Sequence, residues 1–205
     1  MASHGLVLAT RNHGKIEELR RILADLVSDQ HDPIELLGAD EFGLGDVEET
    51  GDTFAANALI KARAVAEATG LPAVADDSGL CVDALNGMPG IYSARWSGKH
   101  GDDRANLELL LAQLSHVPDD RRGAHFACAA ALVIPGGVEI VEEGRIYGRL
   151  ISQPLGTGGF GYDPIFLPSG NILTLAEIGA AEKDAISHRG LAFRALAPHV
   201  TGLLA

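Results

Sequence analysis

Ala73-Val-Ala-Asp-Asp-Ser-Gly-Leu-Cys-Val-Asp83 decides how the rest of the chain is read. Pro72 to Ala75 is an apolar run with strand character, and it delivers two adjacent carboxylates, Asp76 and Asp77, to its end. Ser78-Gly79 is expected to turn the chain there. Along an extended strand neighbouring side chains point to opposite faces, so two Asp can share one task only if the strand stops. Oxygen-only donors at a strand end suit Mg²⁺, which takes one or two carboxylates, keeps several waters and binds substrate phosphates. Asp, Ser and Gly are also common turn formers, and a solvated turn stays open on this stretch alone.

The bulk composition narrows the function classes. At 205 residues the chain fits one large domain or two lobes sharing a core, and 46% hydrophobic content is enough to bury it. The net charge of −12 argues against wrapping nucleic acid, whose phosphates need a basic footprint. A small anion is still admissible, because a local basic pocket with a divalent cation can hold phosphate on an acidic protein. The sequence has four lysines (Lys15, Lys61, Lys99 and Lys183) against twelve arginines, so Lys is kept for a few places. Cys81 and Cys128 both sit in apolar runs and read as small buried hydrophobes in a reducing compartment. The N-terminus lacks a signal-peptide pattern and no run approaches ~18 apolar residues, so a cytoplasmic protein without membrane contact is expected.

Strand and helix signals alternate along the chain. Gly5 to Thr10 reads as a short strand running into Thr10-Arg-Asn-His-Gly-Lys15, and a helix is expected from about Lys15 to Leu26 with Asn12 as N-cap. A strand, polar turn and helix start form a natural anion site. Lys15 in the first turn opposes the helix dipole, a conflict that a bound anion would remove. A second helix is expected from Thr53 to Thr69, ended by Gly70 and Pro72, with Asn57 and Lys61 on one face and Glu49 just ahead of its cap. Asp102 to Leu114 reads as an amphipathic helix whose leading Asp pair complements its dipole. Ala124–Ile134 and Val138–Leu150 read as two strands around Pro135-Gly-Gly137, and His125 as a core histidine. Gly156 to Phe166 is Gly-rich, so backbone can approach a flat ligand while Phe160 or Tyr162 stacks on it. A short helix is expected over Leu173–Ala181. A last one follows Ser187, putting His188 and Arg189 as donors at its positive end.

In order along the chain, six blocks resemble the inosine triphosphate pyrophosphatase family. They are Thr10-Arg-Asn-His-Gly-Lys15, Glu49-Thr-Gly-Asp-Thr-Phe-Ala-Ala-Asn-Ala-Leu-Ile-Lys61, Ala75-Asp-Asp-Ser-Gly79, Gly90-Ile-Tyr-Ser-Ala-Arg95, Phe160-Gly-Tyr-Asp163 and Ser187-His-Arg189. Asp184 and Leu191 depart from the pattern, at positions where Asn and a basic residue are common. The resemblance implies an elongated α/β fold, with a central mixed sheet, flanking helices and two lobes around a nucleotide-binding cleft in a single domain. It also implies a homodimer. The implied reaction is Mg²⁺-dependent cleavage of non-standard purine nucleoside triphosphates (ITP, dITP, XTP, dXTP) to monophosphate and pyrophosphate, with Mn²⁺ able to replace Mg²⁺. By position, Asp77 is implied as general base and metal ligand, with Glu49 and Asp76 beside it on the metal. Lys15 and Lys61 are implied as the cations of catalysis. Thr10, Arg11, Asn12, His13, Gly14, Lys15 and Ser78 would hold the triphosphate, and Phe160, Gly161, Tyr162, Asp163, Lys183, His188 and Arg189 the base.

The residue types fit that chemistry. Attack on phosphorus needs charge neutralised on the phosphate oxygens and a water deprotonated by a carboxylate. Hypoxanthine and xanthine carry a carbonyl at the six position where adenine carries an amino group, so donors from Arg189, His188 or backbone N–H would favour the former, and Arg189→Ala is expected to weaken that preference. Two other readings remain: a related Maf-type pyrophosphatase or a phosphatase with an attacking Asp, the aspartyl route releasing inorganic phosphate, and a nucleotide-binding regulator without turnover.

Overall fold

Alternation of side chains along two central strands decides which helix each functional residue meets. In the computed structural model, residues 4–10, 13–27, 34–45 and 47–204 are described. The order is β1 (His4–Leu8), α1 (His13–Val27), β2 (Ile34–Gly38), α2 (Phe54–Thr69), β3 (Ala73–Val82) and α3 (Asp103–Gln113), then β4 (Gly123–Val133), β5 (Glu139–Leu150), β6 (Phe166–Pro168), α4 (Ala180–Ile186) and α5 (His188–Leu204). One six-stranded sheet runs β2-β1-β3-β4-β5-β6. It is mixed: β1 pairs parallel with both β2 and β3, whereas β5 and β6 are antiparallel.

The chain divides into two units. The first comprises Met1–Asp77, Cys128–Gly144 and Arg189–Ala205; the second comprises Ser78–Ala127 and Arg145–His188. In the first, Leu6, Leu8, Val74, Ala130 and Leu132 face one way and pack on Leu19, Ile22 and Leu23 of α1 and Phe193, Leu196 and Val200 of α5. Their neighbours Val7, Ala73, Ala75, Ala129 and Ala131 face the other way, onto Ala58, Ala62, Val65 and Ala66 of α2. The alanines let α2 lie close to the strands, and each fully buried Leu or Phe contributes about 1.5–3 kcal/mol. The second unit has its own core, with Leu80, Val82, Leu110, Leu114, Phe126, Leu150, Ile165 and Phe166 at its centre.

The α2 boundaries follow the sequence signals. The Thr53 side chain accepts from Ala56 N at 3.1 Å, and Gly70 ends the helix at φ 68° with its N–H on Ala66 O. Around Pro135-Gly-Gly137, Ile134 N donates to Val138 O at 2.9 Å, which closes the expected turn between β4 and β5.

Two expectations are corrected. The chain does not turn at Ser78-Gly79: β3 runs on through Asp76-Asp77-Ser78-Gly79 to Val82, with nine of its ten residues buried. Burial on both faces and pairing with neighbouring strands override the local turn propensity of Asp, Ser and Gly. The short helix lies at Ala180–Ile186 rather than Leu173–Ala181, where only a single turn forms. That turn is held by Thr174 and Glu177, each donating a backbone N–H to the other residue.

Candidate active site

Because β3 continues, Asp76 and Asp77 obey strand parity and do different work. Asp76 shares the face of Val74, toward α1 and α5, and is 1% exposed. Its Oδ2 accepts from Lys15 Nζ at 2.9 Å and from Arg189 Nε at 3.2 Å. Arg189 in turn donates through Nη1 to Glu18 Oε2. Burial alone would raise the Asp76 pKa, but Lys15, Arg189 and Lys61 outweigh it and hold the carboxyl well below the usual carboxylate range. The anion that answers the Lys15 conflict with the α1 dipole is therefore supplied at least in part by Asp76 itself.

Asp77 shares the face of Ala75, toward α2. Asn57 Nδ2 donates to its Oδ2 at 3.1 Å, and Lys61 Nζ lies 3.3 Å from its Oδ1. The same ammonium donates to Glu49 Oε1 at 2.8 Å. One lysine, one turn after Asn57 on α2, therefore clasps two carboxylates from a loop and a strand. Burial raises the Asp77 pKa, and Glu49 adds to this, against the pull of Lys61 and Lys15. Burial disfavours the Lys61 ammonium, yet Asp77, Asp76 and Glu49 together raise its pKa. The two directions give a carboxylate whose proton affinity is lifted, beside a cation that stays charged, which suits a base working near a phosphate.

The three carboxylates expected at the metal, Glu49, Asp76 and Asp77, take different cation partners. Among the described residues no group of three or more His, Cys, Asp or Glu is placed to hold a metal ion. Strand parity turns Asp76 to Lys15 and Arg189, leaving Glu49 and Asp77 on the α2 side. Their chemistry fits Mg²⁺, which takes oxygen donors from one or two carboxylates.

Arg189, expected at the purine, is 1% exposed and ion-paired with Asp76 and Glu18 in the first unit. Thr10 directly follows β1 and is half-buried, and His13 and Gly14 open α1. Arg11 and Asn12, expected at the triphosphate and as the N-cap, lie outside the described residues. Ser78 is half-buried in β3.

The remaining expected residues cluster in the second unit. Lys183 Nζ donates to Asp163 Oδ2 at 2.7 Å and lies 4.8 Å from the centre of the Phe160 ring. Phe160 N donates to the same Asp163 oxygen at 2.8 Å. A Cβ on Gly159 would meet that oxygen at 2.1 Å, and its φ is +69°, so glycine is required there twice over. Tyr162, expected as a possible stacking ring, is buried, and its hydroxyl donates to Ser93 O at 2.9 Å; it braces the loop instead. His188 is buried and stacks on Phe126, with ring centres 4.8 Å apart. The His125 ring packs at a tilt against Tyr147, with ring centres 5.3 Å apart. Cys128 is fully buried and its thiol is pushed up by burial, which removes it as a nucleophile.

Three residues that matter have no place in the site expected from the sequence. Glu18 follows Lys15 by three positions, a spacing that places both on one helix face. Asn57 carried the same signal relative to Lys61. Asp103, read only as a dipole partner, accepts from Gly161 N at 3.0 Å and pins the Gly-rich loop.

Residues 6–199 match the Ham1 family. The chain is 65% identical over 200 residues to a dITP/XTP pyrophosphatase of Streptomyces coelicolor, covering 97% of this chain and 98% of that protein. Among solved structures it is similar to a HAM1 protein from Coxiella burnetii, with TM-score 0.85 and 40% identity over 97% of this chain and 98% of that one. It is also similar to a dITP/XTP pyrophosphatase from Mycobacterium abscessus, with TM-score 0.75 and 54% identity over 95% and 99% of the two chains.

Proposed function

The chain belongs to the Ham1 family, and from that premise we propose that it hydrolyses non-standard purine nucleoside triphosphates such as dITP and XTP to the monophosphate and pyrophosphate, clearing them from the nucleotide pool. The observation that carries the reading is the Lys61 ammonium held between Glu49 and Asp77. That cluster offers a base and a cation in one place, with Lys15 anchored on the opposite face of the same strand.

Asp77 accepts the proton of the attacking water, helped by the burial that raises its proton affinity. Lys61 and Lys15 oppose the charge that builds on the phosphate oxygens, and fixed cations in a partly dehydrated site are worth more than in water. Glu49 and Asp77 would hold Mg²⁺, or Mn²⁺ in its place. When bound, the ion polarises phosphate oxygens and neutralises their charge. In the second unit, Lys183 is oriented by Asp163 and offers a donor suited to the six-keto oxygen of hypoxanthine or xanthine. Adenine would set an amino group against that donor, and a buried mismatch costs about 1–3 kcal/mol. Action as a homodimer in the cytoplasm follows from the family resemblance. No helix among the described residues is long and apolar enough to cross a membrane.

The test is a panel of ITP, dITP, XTP, ATP and GTP with Mg²⁺, scored for pyrophosphate against orthophosphate. Pyrophosphate with monophosphate, from the six-keto non-standard purines in preference to ATP, is expected. Orthophosphate as the first product, or tight binding without turnover, would overturn the reading.

A further inference from the structure

We propose that Asn57 is a positioning residue of the hydrolytic site, a buried amide that fixes the Asp77 carboxylate and the Glu49-bearing loop in one arrangement. The inference rests on the reading of Asp77 as base. Asn57 is fully buried, at 0% exposure, and both ends of its amide are used. The Gly51 N–H donates to Oδ1 at 2.8 Å, and Nδ2 donates to Asp77 Oδ2 at 3.1 Å. The orientation of the amide is dictated by its neighbours: a backbone N–H demands the oxygen on one side, so the NH₂ group faces the carboxylate on the other.

The consequence is a division of labour within one carboxylate. Oδ2 of Asp77 is taken by Asn57, which sets the plane of the group, and Oδ1 is directed to Lys61. On the loop side, Gly51 is two residues from Glu49, so the bond that fixes Gly51 also limits where Glu49 can go. Asn57 and Lys61, one helical turn apart on α2, each clasp the loop and the strand together. The fit is close: a Cβ on Gly51 would lie 2.7 Å from Asn57 Oδ1, 2.7 Å from Ala56 Cβ and 3.0 Å from Asn57 N. A leucine at 57 fills the volume but holds neither group, and reacting groups misplaced by about 1 Å lose on the order of 10²-fold in rate.

Two variants separate positioning from mere packing. Asn57→Leu is expected to lower kcat with dITP by about 10²-fold while KM stays within about 3-fold. Gly51→Ala removes no group but pushes on Asn57 from the loop side, and is expected to lower kcat about 10-fold. Amide hydrogen exchange supplies a readout independent of turnover: in Asn57→Leu the Gly51 amide should lose protection while the α2 amides keep theirs. A folded Asn57→Leu protein with wild-type kcat would overturn the proposal. If Asn57→Leu does not fold, Gly51→Ala decides alone, with unchanged kcat as the overturning result. A wild-type protein inactive on the whole panel would instead overturn the assigned reaction, and the Gly51 exchange rate would still report whether Asn57 holds the loop.

Discussion

Lys15 Nζ meets Asp76 Oδ2 at 2.9 Å across 61 positions of sequence, in a place where the Asp side chain has no solvent exposure. That contact, shared with Arg189, ties Asp76 to two cations of the first unit, while Asp77 meets Lys61 and Asn57 on the α2 side, where the proposed chemistry lies. The two adjacent acids should therefore respond to the same substitution in opposite ways.

Asp76→Asn removes the charge that Lys15 and Arg189 are built around. Breaking a buried pair leaves uncompensated charge, so a loss of about 3–5 kcal/mol in unfolding free energy is expected in urea titrations. A variant as stable as the wild type would show that the ion-pair lattice does not hold α1 and α5 to β3.

The pH dependence follows from the directions of the two pKa shifts. The folded pKa of Asp76 is depressed, so its contribution is complete above the ordinary unfolded value of about 3.9 and is lost as pH falls through the folded one. Below about pH 4, the stability gap between wild type and Asp76→Asn should accordingly narrow. Asp77 has the opposite sign, its folded pKa being raised, so its ionisation weakens the fold at neutral pH. Asp77→Asn should unfold at the same or a higher urea concentration than wild type. A lower midpoint would contradict the shift.

Lys61→Met leaves Glu49 and Asp77 facing each other without the shared ammonium. Loss of one preorganised cation or donor typically lowers kcat by about 10²–10³, and a fall of that size is expected in steady-state assays with dITP. Addition of excess EDTA should abolish hydrolysis, and returning Mg²⁺ should restore it.

Substitution of Arg189 was expected from sequence to blunt the preference for ITP over ATP. Its burial between Asp76 and Glu18 changes that expectation: Arg189→Ala should mainly destabilise the fold, leaving the ITP-to-ATP ratio of kcat/KM little changed in whatever protein folds. Lys183→Met, which removes the donor held by Asp163, should change that ratio instead. A selective loss of base preference in Arg189→Ala would restore the earlier role.

The strand–helix alternation was legible because each element carries its own period and punctuation, as with Thr53 and Gly70 around α2. Glu49, Asp77 and Lys61, which the structure brings together, were legible from their residue types and block order, whereas Lys15 meets Asp76 on the other face of β3. The course of β3 was not, since Asp-Asp-Ser-Gly is locally a turn and only pairing with strands distant in sequence keeps it extended. A strand that ended there would let Asp76 and Asp77 act as partners, whereas parity turns them to opposite faces. Arg189 and Glu18 are 171 positions apart, and no local spacing announces such a pair.

The most direct measurement is the turnover number of Asp77→Asn with dITP and Mg²⁺, made on protein shown by circular dichroism and urea unfolding to be folded. A fall of at least about 10²–10⁴-fold with stability retained is the expected result, as for the loss of a general base. A folded Asp77→Asn enzyme within about tenfold of wild-type kcat, less than a general base contributes, would contradict the assignment of Asp77 as the group that takes the proton.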